Sequence, residues 1–428
     1  MEVAILVLSF IILLGIGVPI AWSIGISSIL TMLVSIPMIP AFTTVAHRMA
    51  TGLDSFSLLA IPFFILAGQI MNRGGIARRL VAFARTLVGS LPGGLAHVNI
   101  IAAMMFGAIS GSAVAAASAI GSFMTDEMEK EGYSKEFAAA VNITSSTTGL
   151  VIPPSNVLIV YSLASGGVSI AALFLAGYIP GILTGLLLMI VATVWAKKKG
   201  FSGGKRSTLG QVGKTFFEAF PSLLLLVLII GGIVGGIFTA TEASAVAVLY
   251  CLILMYFYGE VKWKELPDIF LGSVGTTAIV MLLIGTSMSM SWIMAYENIP
   301  QNITDFLLSV SDNKFVILLI INLTLLFVGV FMDMTPAVLI FTPIFLPVVT
   351  SLGMDPTHFG IVMVLNLTIG LCTPPVGSVL FVGVGVAGTT IQKVIKPLLP
   401  LFIAMLVALV LVTYFPQLSL WLPSLFGL

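Results

Sequence analysis

The chain has 428 residues, of which 59% are hydrophobic and only 8% are charged, and its formal net charge is +1. Its mean hydropathy of +1.18 is too high for a chain surrounded by water, so the composition excludes a soluble globular protein and requires lipid around most of the chain. The near-zero net charge, without a basic tail, argues against nucleic-acid binding. The sequence has no P-loop, which argues against ATP hydrolysis.

Apolar stretches long enough to cross a membrane follow one another along the chain, separated by short polar breaks. About 20 mostly apolar residues are needed to span a bilayer. Only Glu2 precedes the first stretch, which is too long for a signal peptide and lacks its basic segment, so we expect this helix to be retained. Cys251 and Cys372 lie inside apolar stretches and are expected to be buried as small hydrophobic side chains.

The first half of the chain predicts five membrane crossings and one re-entrant helical hairpin. The third crossing is followed by an amphipathic arm. The hairpin is a Gly- and Ser-rich helix pair too short for two full crossings, and the crossing after it is interrupted by Pro153 and Pro154. The predicted crossings lie near 3–17, 20–38, 56–71, 137–162 and 169–195, and the hairpin lies at 94–124.

A glycine-rich, basic stretch from Lys197 to Lys214 follows, near the middle of the sequence. It predicts a cytoplasmic linker at 197–215 between two units, 1–196 and 216–428. The second unit repeats the order of the first. Its predicted crossings lie near 217–237, 240–258, 270–295, 357–380 and 398–415, and its hairpin lies at 315–350.

An offset of 221 residues relates the two units. Gly149–Pro154 reads GLVIPP, Gly370–Pro375 reads GLCTPP, and 370 − 149 = 221; the same offset pairs Ser23 with Ser244. Because each unit has an odd number of crossings, the two copies must have opposite orientations in the membrane. We therefore predict an all-α polytopic membrane protein of two inverted-topology repeats, an architecture typical of secondary transporters whose site lies at the repeat interface.

The basic residues orient the predicted protein in the membrane. If the linker is cytoplasmic, all of the 18 Lys and Arg residues except Arg48 and Lys314 fall on the cytoplasmic side. Cytoplasmic loops carry an excess of these residues. The distribution therefore predicts that both termini are periplasmic or external.

The two hairpin tips concentrate polar side chains inside the predicted membrane region. The first tip contains Ser110 and Ser112, and the second contains Asp333 and Thr335. Hydroxyl, carboxylate and freed carbonyl oxygens suit Na⁺, and a buried carboxylate in a membrane is functional by default. Two alternatives stay open: the small residues of a tip serve close helix packing, or Asp333 caps the helix that follows it.

The interrupted crossings carry paired prolines at equivalent positions, which leave unwound backbone whose carbonyls suit a cation and whose amides suit an anion. One such break can be a kink, but two at related positions favour a site. We predict substrate contacts at Ser155, Asn156 and Ser378, and Na⁺ ligands at Ser110, Ser112, Gly149, Asp333, Thr335, Gly370 and Thr373. Outside this region, Glu242 is expected to cap its helix.

These motifs together resemble the large membrane subunit, or M subunit, of TRAP transporters, the tripartite ATP-independent periplasmic systems. The resemblance covers essentially the whole chain and rests on these segments: 59–68 (LAIPFFILAG), 107–113, 149–154, 239–247, 333–336 and 370–375. It implies an elevator-type transporter in the bacterial inner membrane, Na⁺ as coupling ion and no enzymatic cofactor. It also implies two partners, a small four-helix membrane subunit on another chain and a periplasmic substrate-binding protein that delivers an organic acid.

Within that family the chain is similar to sialic-acid uptake members through Leu53–Phe56 and Phe106–Ala117. Members of the family that transport C4-dicarboxylates have the same arrangement of motifs. A single-component Na⁺-coupled dicarboxylate carrier is an alternative with the same repeat and tips. A more remote alternative is an intramembrane serine protease that uses Ser110, which would need a base within hydrogen-bond reach.

Overall fold

The computed structural model describes residues 2–73, 75–201, 204, 206–259, 263–311 and 313–428. These residues form twenty α-helices and no β-strand. The helices of the first half are α1 (Glu2–Gly15), α2 (Ile20–Ser35), α3 (Met38–Leu53), α4 (Ala60–Arg73), α5 (Ile76–Val88), α6 (Gly94–Ser110), α7 (Ala113–Lys130), α8 (Lys135–Thr148), α9 (Asn156–Ala164) and α10 (Ile170–Lys199). Those of the second half are α11 (Leu209–Val234), α12 (Ala240–Tyr258), α13 (Leu266–Tyr296), α14 (Ile299–Val310), α15 (Lys314–Phe331), α16 (Met334–Ser351), α17 (Pro356–Gly370), α18 (Ser378–Ala387), α19 (Ile391–Tyr414) and α20 (Gln417–Leu425).

Eight helical segments of the described chain are long and apolar enough to cross a membrane. They are α10, α11, α12, α13, α15, α16, α19 and the segment Phe56–Arg73, in which a 3₁₀ turn at Phe56–Leu59 leads into α4. Helices α1, α2, α17 and α18 are apolar but shorter. The all-α polytopic class is confirmed, whereas ten crossings in two inverted repeats stay a prediction.

Both predicted hairpins are pairs of helices joined by a tight turn. Helices α6 and α7 turn at Gly111, whose φ of 62° lies in the left-handed region that favours glycine. Ser112 then begins α7 as its N-cap and accepts a hydrogen bond from the Ala115 amide at 3.2 Å. Helices α15 and α16 turn at Met332 and Asp333.

The two predicted breaks occur at matching places in the two halves. One lies at 149–155 between α8 and α9, and the other at 371–377 between α17 and α18. Each contains a cis peptide bond, Pro153–Pro154 or Pro374–Pro375. Proline has no amide hydrogen to donate to a helix, so the helical ladder cannot continue through either pair, and α8 and α17 end a few residues before it, at Thr148 and Gly370.

Helices α8 and α17 form the centre of the molecule. Every residue from Phe137 to Thr148 and from His358 to Gly370 is buried. Four hydroxyls of α8, those of Thr144, Ser145, Thr147 and Thr148, donate to carbonyls of the preceding helical turn, whereas the buried Ser146 Oγ has no partner among the described residues. This local bonding lets a hydroxyl-rich helix lie in a buried position.

A pair of glycines holds each hairpin against its central helix. A Cβ built on Gly149 of the first break would lie 2.7 Å from the Cα of Gly107 on α6. A Cβ on Gly370 would lie 2.6 Å from the Cα of Gly329 on α15. These backbones approach so closely because neither partner has a side chain.

Two helices were not predicted from the sequence. Helix α3 is amphipathic and carries Arg48, and only Ala41 and Val45 of it are buried. Its mixed polar and apolar residues do not match the pattern of a membrane crossing. Helix α20 is short and follows Pro416 near the end of the chain.

The predicted linker is largely helical. Helix α10 continues to Lys199, and α11 begins at Leu209 with a capping box in which Thr208 and Gln211 exchange hydrogen bonds. The described residues between these two helices, 200, 201, 204 and 206–208, are not helical, and residues 202, 203 and 205 lie outside the described chain. The division into 1–196 and 216–428 stays a prediction.

Candidate functional site

A polar cavity of about 250 Å³ lies where the two hairpin tips meet. Ser110, Gly111 and Ser112 of the first tip line it, together with Asp333 and Thr335 of the second. The remaining lining residues come from α4, α7, α9 and α13: Ile61, Ile65, Gly68, Gln69, Asn72, Ala115, Asn156, Val157, Val160, Thr276 and Val280. Both halves of the chain thus contribute polar side chains to one cavity.

In the first tip, the Ser110 hydroxyl is only weakly engaged. Its Oγ donates to the Ser112 carbonyl at 3.4 Å and accepts from the Ser112 amide at 3.5 Å. Both distances are long for hydrogen bonds that involve a hydroxyl. The Ser110 Oγ can therefore rotate toward a ligand in the cavity at little cost.

Two glycines bring other elements against this tip. A Cβ on Gly68 of α4 would lie 2.8 Å from the Ser110 carbonyl oxygen. A Cβ on Gly111 would lie 2.7 Å from Nδ2 of Asn156, which begins α9 after the first break. Asn156 therefore reaches the tip backbone because Gly111 leaves space for its amide.

The second tip presents a carboxylate. Asp333 occupies the N-cap position of α16 with an extended backbone, but its side chain forms no capping hydrogen bond. Protein surrounds Asp333, and its accessible surface faces the cavity that it lines. The capping alternative stays open for Asp333, because the Met334 backbone amide at the start of α16 interacts with its carboxylate. Asp333 lines the same cavity as Thr335.

Among the described residues that line the cavity, Asp333 is the one that carries a charge, and none is Lys, Arg or His. The described residues also include no group of three or more His, Cys, Asp and Glu that could hold a metal ion. The oxygens available to a cation here are hydroxyls, amide carbonyls and the one carboxylate. Ser110 likewise has no histidine beside it in the cavity to act as the base of a protease.

Three of the predicted Na⁺ ligands lie outside this cavity. Gly149 packs against Gly107, as described above. In the second break, the Gly370 carbonyl accepts from the Thr373 amide at 2.9 Å, and the Thr373 hydroxyl donates to the Ile369 carbonyl at 2.9 Å. The last turn of α8, next to the first break, does contact the second break, because Thr147 Oγ1 lies 3.4 Å from the Sγ of Cys372.

Of the three predicted substrate residues, the structure brings Asn156 into the cavity. Ser155, beside it, is buried, and its Oγ has no hydrogen-bond partner among the described residues. Ser378 is exposed at the start of α18. Neither serine lines the cavity, so their roles stay predictions.

Sequence reasoning missed three polar residues that line the cavity: Gln69 and Asn72 on α4, and Thr276 on α13. Gln69 and Asn72 are three positions apart and therefore share a helix face. The sequence signal that could have identified Gln69 and Asn72 is the pair of amide side chains near the end of an otherwise apolar membrane span, α4. Two other predictions are confirmed: Thr239 and Glu242 form the capping box of α12, and both cysteines are free and buried.

An all-α bundle with two hairpins and two interrupted helices around a shared polar cavity has the form of a membrane transport protein. Residues 7–418 match the family described as the tripartite ATP-independent periplasmic transporter, DctM component. The chain therefore belongs to the large permease family of TRAP transporters, which are secondary transporters rather than enzymes.

Three relatives have similar sequences. The uncharacterized protein YgiK of Salmonella typhimurium is 59% identical, covering 98% of this chain and 96% of the relative. The sialic acid TRAP transporter large permease SiaM of Vibrio cholerae is 41% identical, covering 89% of both. The C4-dicarboxylate TRAP transporter large permease DctM of Rhodobacter capsulatus is 38% identical, covering 96% of both.

A solved structure shares the fold. The YdaH transporter of Alcanivorax borkumensis superimposes with a TM-score of 0.66 over 88% of both chains, at 13% sequence identity. At this identity the likeness concerns the fold alone.

Proposed function

We propose that this chain is the translocating subunit of a Na⁺-driven TRAP transporter that imports an organic acid. The observation that carries the proposal is the single cavity in which the hydroxyls of Ser110, Ser112 and Thr335 and the Asp333 carboxylate converge from the two halves. Sodium gives up its water only where several oxygens replace it, and this cavity brings hydroxyl, amide and carboxylate oxygens of both halves together.

The charge of the cavity supports ion coupling. An anionic substrate that entered it would meet the negative Asp333 and no basic side chain. Each bound Na⁺ would offset one negative charge of this pair, so substrate and ion would each favour binding of the other. Neutral donors, which are the amides of Gln69, Asn72 and Asn156, would then orient the substrate.

The breaks extend the proposed ion sites beyond the cavity. Gly149, Gly370 and Thr373 lie on unwound or terminal backbone next to the tips. A modest displacement of a tip relative to its central helix would expose their carbonyls to an ion. We propose that such a displacement belongs to an elevator-type movement of the hairpins against the remaining helices.

We propose sialic acid (N-acetylneuraminate) as the first substrate to test, and C4-dicarboxylates as the second. Relatives of comparable identity carry the names of a sialic acid permease and a C4-dicarboxylate permease, so the names support the organic-acid class. We propose the periplasmic binding protein as the source of specificity and the small membrane subunit as a second partner. The proposed location is the bacterial inner membrane with both termini periplasmic.

Uptake into proteoliposomes tests the function. The chain is reconstituted with its small subunit, and labelled sialic acid or succinate is supplied with the cognate binding protein under an inward Na⁺ gradient. We expect accumulation that requires Na⁺ and the binding protein and is indifferent to ATP. Uptake by the chain alone would favour the single-component carrier, and accumulation that depends on ATP would contradict the proposal.

A further inference from the structure

A smaller cavity, of about 120 Å³, lies apart from the candidate site, where α15 and α17 begin and α19 ends. Its polar lining residues are Lys314, Asp355, His358 and Thr413. The other lining residues are Leu318, Gly353, Met354, Pro416 and Leu420. The predicted topology places this end of the molecule on the external side, and Lys314 is one of the two basic residues predicted there. The proposed transport mechanism uses none of these residues.

His358 of α17 is buried, with only 1% of its surface exposed. Its Nε2 lies 3.3 Å from the carbonyl oxygen of Thr413 on α19. A carbonyl oxygen can only accept a hydrogen bond, so Nε2 carries a hydrogen. The other ring nitrogen, Nδ1, has no hydrogen-bond partner among the described residues. Because buried polar atoms are normally paired, a ligand in the cavity is the expected partner of Nδ1.

Thr413 supplies a second polar group to the cavity. Its Oγ1 accepts a hydrogen bond from Nδ2 of Asn322 at 3.1 Å, and its own hydrogen can still donate to a ligand. The Oδ1 of Asn322 in turn accepts from Nδ2 of Asn366 at 2.8 Å. The cavity is therefore the outer end of a buried hydrogen-bonded chain that joins α15, α17 and α19.

Lys314 adds a positive charge to the cavity. It is half-buried at the first position of α15, after the Asn313 N-cap, and it forms no ion pair with another described residue. Asp312 lies outside the described chain. The amino end of a helix carries partial positive charge, so a lysine at this position is stabilised by a nearby anion.

Asp355 is the other charged residue of the described lining, and it serves as the cap of α17. Its Oδ1 accepts from the backbone amides of Thr357 at 2.7 Å and of His358 at 3.2 Å. Asp355 is exposed, so water also reaches its carboxylate. When His358 is protonated, the described lining carries two positive charges and one negative charge. A monovalent anion would balance this excess.

We propose that this cavity binds a small monovalent anion, such as chloride, together with a proton on His358. A neutral ring presents the lone pair of Nδ1, which repels an anion, whereas a protonated ring presents a second N–H. The ligands are then Nδ1 of His358, the ammonium of Lys314 and the hydroxyl of Thr413. The volume admits a halide and a few water molecules. The bound anion holds the outer ends of α15, α17 and α19 together, and so stabilises the base of the second hairpin.

Chloride titration of the full-length chain in detergent tests the proposal. Binding is measured by the excess line width of the ³⁵Cl NMR signal, with gluconate as the replacing anion at constant Na⁺. Only the protonated ring accepts the anion, so we expect binding to be about tenfold tighter or more at about pH 5.5 than at about pH 7.5, on either side of the ordinary pKa of histidine. Absence of binding at the lower pH, or an affinity that is equal at both, would overturn the proposal.

A pair of histidine variants assigns the pH dependence. Glutamine at position 358 keeps an N–H near the position of Nε2 for the Thr413 carbonyl and removes Nδ1. His358→Gln should therefore lose the pH-dependent chloride binding. His47→Gln is the matched control at an exposed position of α3, and it should bind as the unmodified chain does. Binding in His358→Gln that still tightened at low pH would contradict the proposal.

A pair of lysine variants locates the anion. Lys314→Gln should weaken chloride binding about tenfold at both pH values and keep its pH dependence, because one charge-assisted contact is lost. Lys393→Gln makes the same change at an exposed position of α19 outside the cavity and should have no effect. Equal chloride affinity in Lys314→Gln and Lys393→Gln would overturn the site, even if His358→Gln failed to fold.

Discussion

Asp333 is the residue at which the predicted ion coupling can be tested most directly. Among the described residues that line the cavity it is the one charged side chain, and one carboxylate can accept several hydrogen bonds, so it can hold an ion beside the Met334 amide. Asparagine keeps the shape of the side chain and removes the charge. We expect Asp333→Asn to raise the Na⁺ concentration for half-maximal uptake about tenfold, which corresponds to the loss of one charge-assisted contact.

Asp305→Asn is the matched control for this change, because Asp305 is exposed on α14 and does not line the cavity. Its Na⁺ dependence should equal that of the unmodified chain. Thr373→Val is expected to act in the same direction as Asp333→Asn if the second break also supplies ion ligands. Both Asp333→Asn and Thr373→Val should leave assembly with the small subunit intact. Unchanged Na⁺ dependence in both would mean that the tips serve packing and that coupling resides elsewhere.

Gln69 tests the substrate side of the cavity. Replacement by leucine keeps most of the side-chain volume and removes an amide that lines the cavity. We expect Gln69→Leu to raise the KM for the organic acid about tenfold, because a polar group of the substrate would lose its partner. The Na⁺ concentration for half-maximal uptake, measured at saturating substrate, should stay unchanged.

Gln301→Leu, at an exposed position of α14 outside the cavity, makes the same chemical change and should not alter the KM. A KM that does not move in Gln69→Leu would exclude this amide as a substrate contact. A parallel shift in Na⁺ dependence would instead indicate that Gln69 acts through the ion sites.

At the scale of elements, the two glycine pairs determine how closely each hairpin approaches its central helix. In Gly149→Ala the new Cβ would lie 2.7 Å from the Gly107 Cα, and in Gly370→Ala it would lie 2.5 Å from the Gly329 carbonyl carbon. Backbone atoms cannot yield as a flexible side chain can. We expect each change to cost about 1–3 kcal/mol, seen as a lower thermal unfolding midpoint in detergent.

Gly275→Ala is the control for both, because no heavy atom of the described residues outside the local helix backbone lies within 4 Å of a Cβ at that position of α13. Its midpoint should stay the same or rise slightly, since alanine favours the helix more than glycine does. If Gly149→Ala and Gly370→Ala were as stable as Gly275→Ala, the hairpins would not depend on these contacts.

At the scale of the whole molecule, the orientation in the membrane is the prediction with the widest consequences. Cysteines introduced at Glu2, Ser207 and Gly427 report on the two termini and the linker, because Cys251 and Cys372 are buried and contribute little background. On intact cells, an impermeant thiol reagent should label the terminal cysteines, and Ser207→Cys only after permeabilisation. Labelling of the linker but not the termini would reverse the predicted topology.

The sequence alone determined the class of the protein and much of its order along the chain. The density of apolar residues requires a bilayer, and the repeated GLVIPP and GLCTPP motifs locate both interruptions, at which α8 and α17 end. Proline and glycine change the conformation of the backbone at their own positions, so the helix ends and turns that they cause can be predicted from the local sequence. The capping box at Thr239 and Glu242 was predictable for the same reason.

Only the tertiary structure decided which polar residues share a cavity. Asn156 and Asp333 belong to different halves of the chain, and Gln69 joins them from a helix whose pattern reads as an ordinary membrane span. The position of α3 also depends on the tertiary structure, because its amphipathic sequence does not indicate whether the helix crosses the membrane or packs against other helices. A periodic pattern shows which face of a helix is apolar, but which helix it meets depends on packing among all of them.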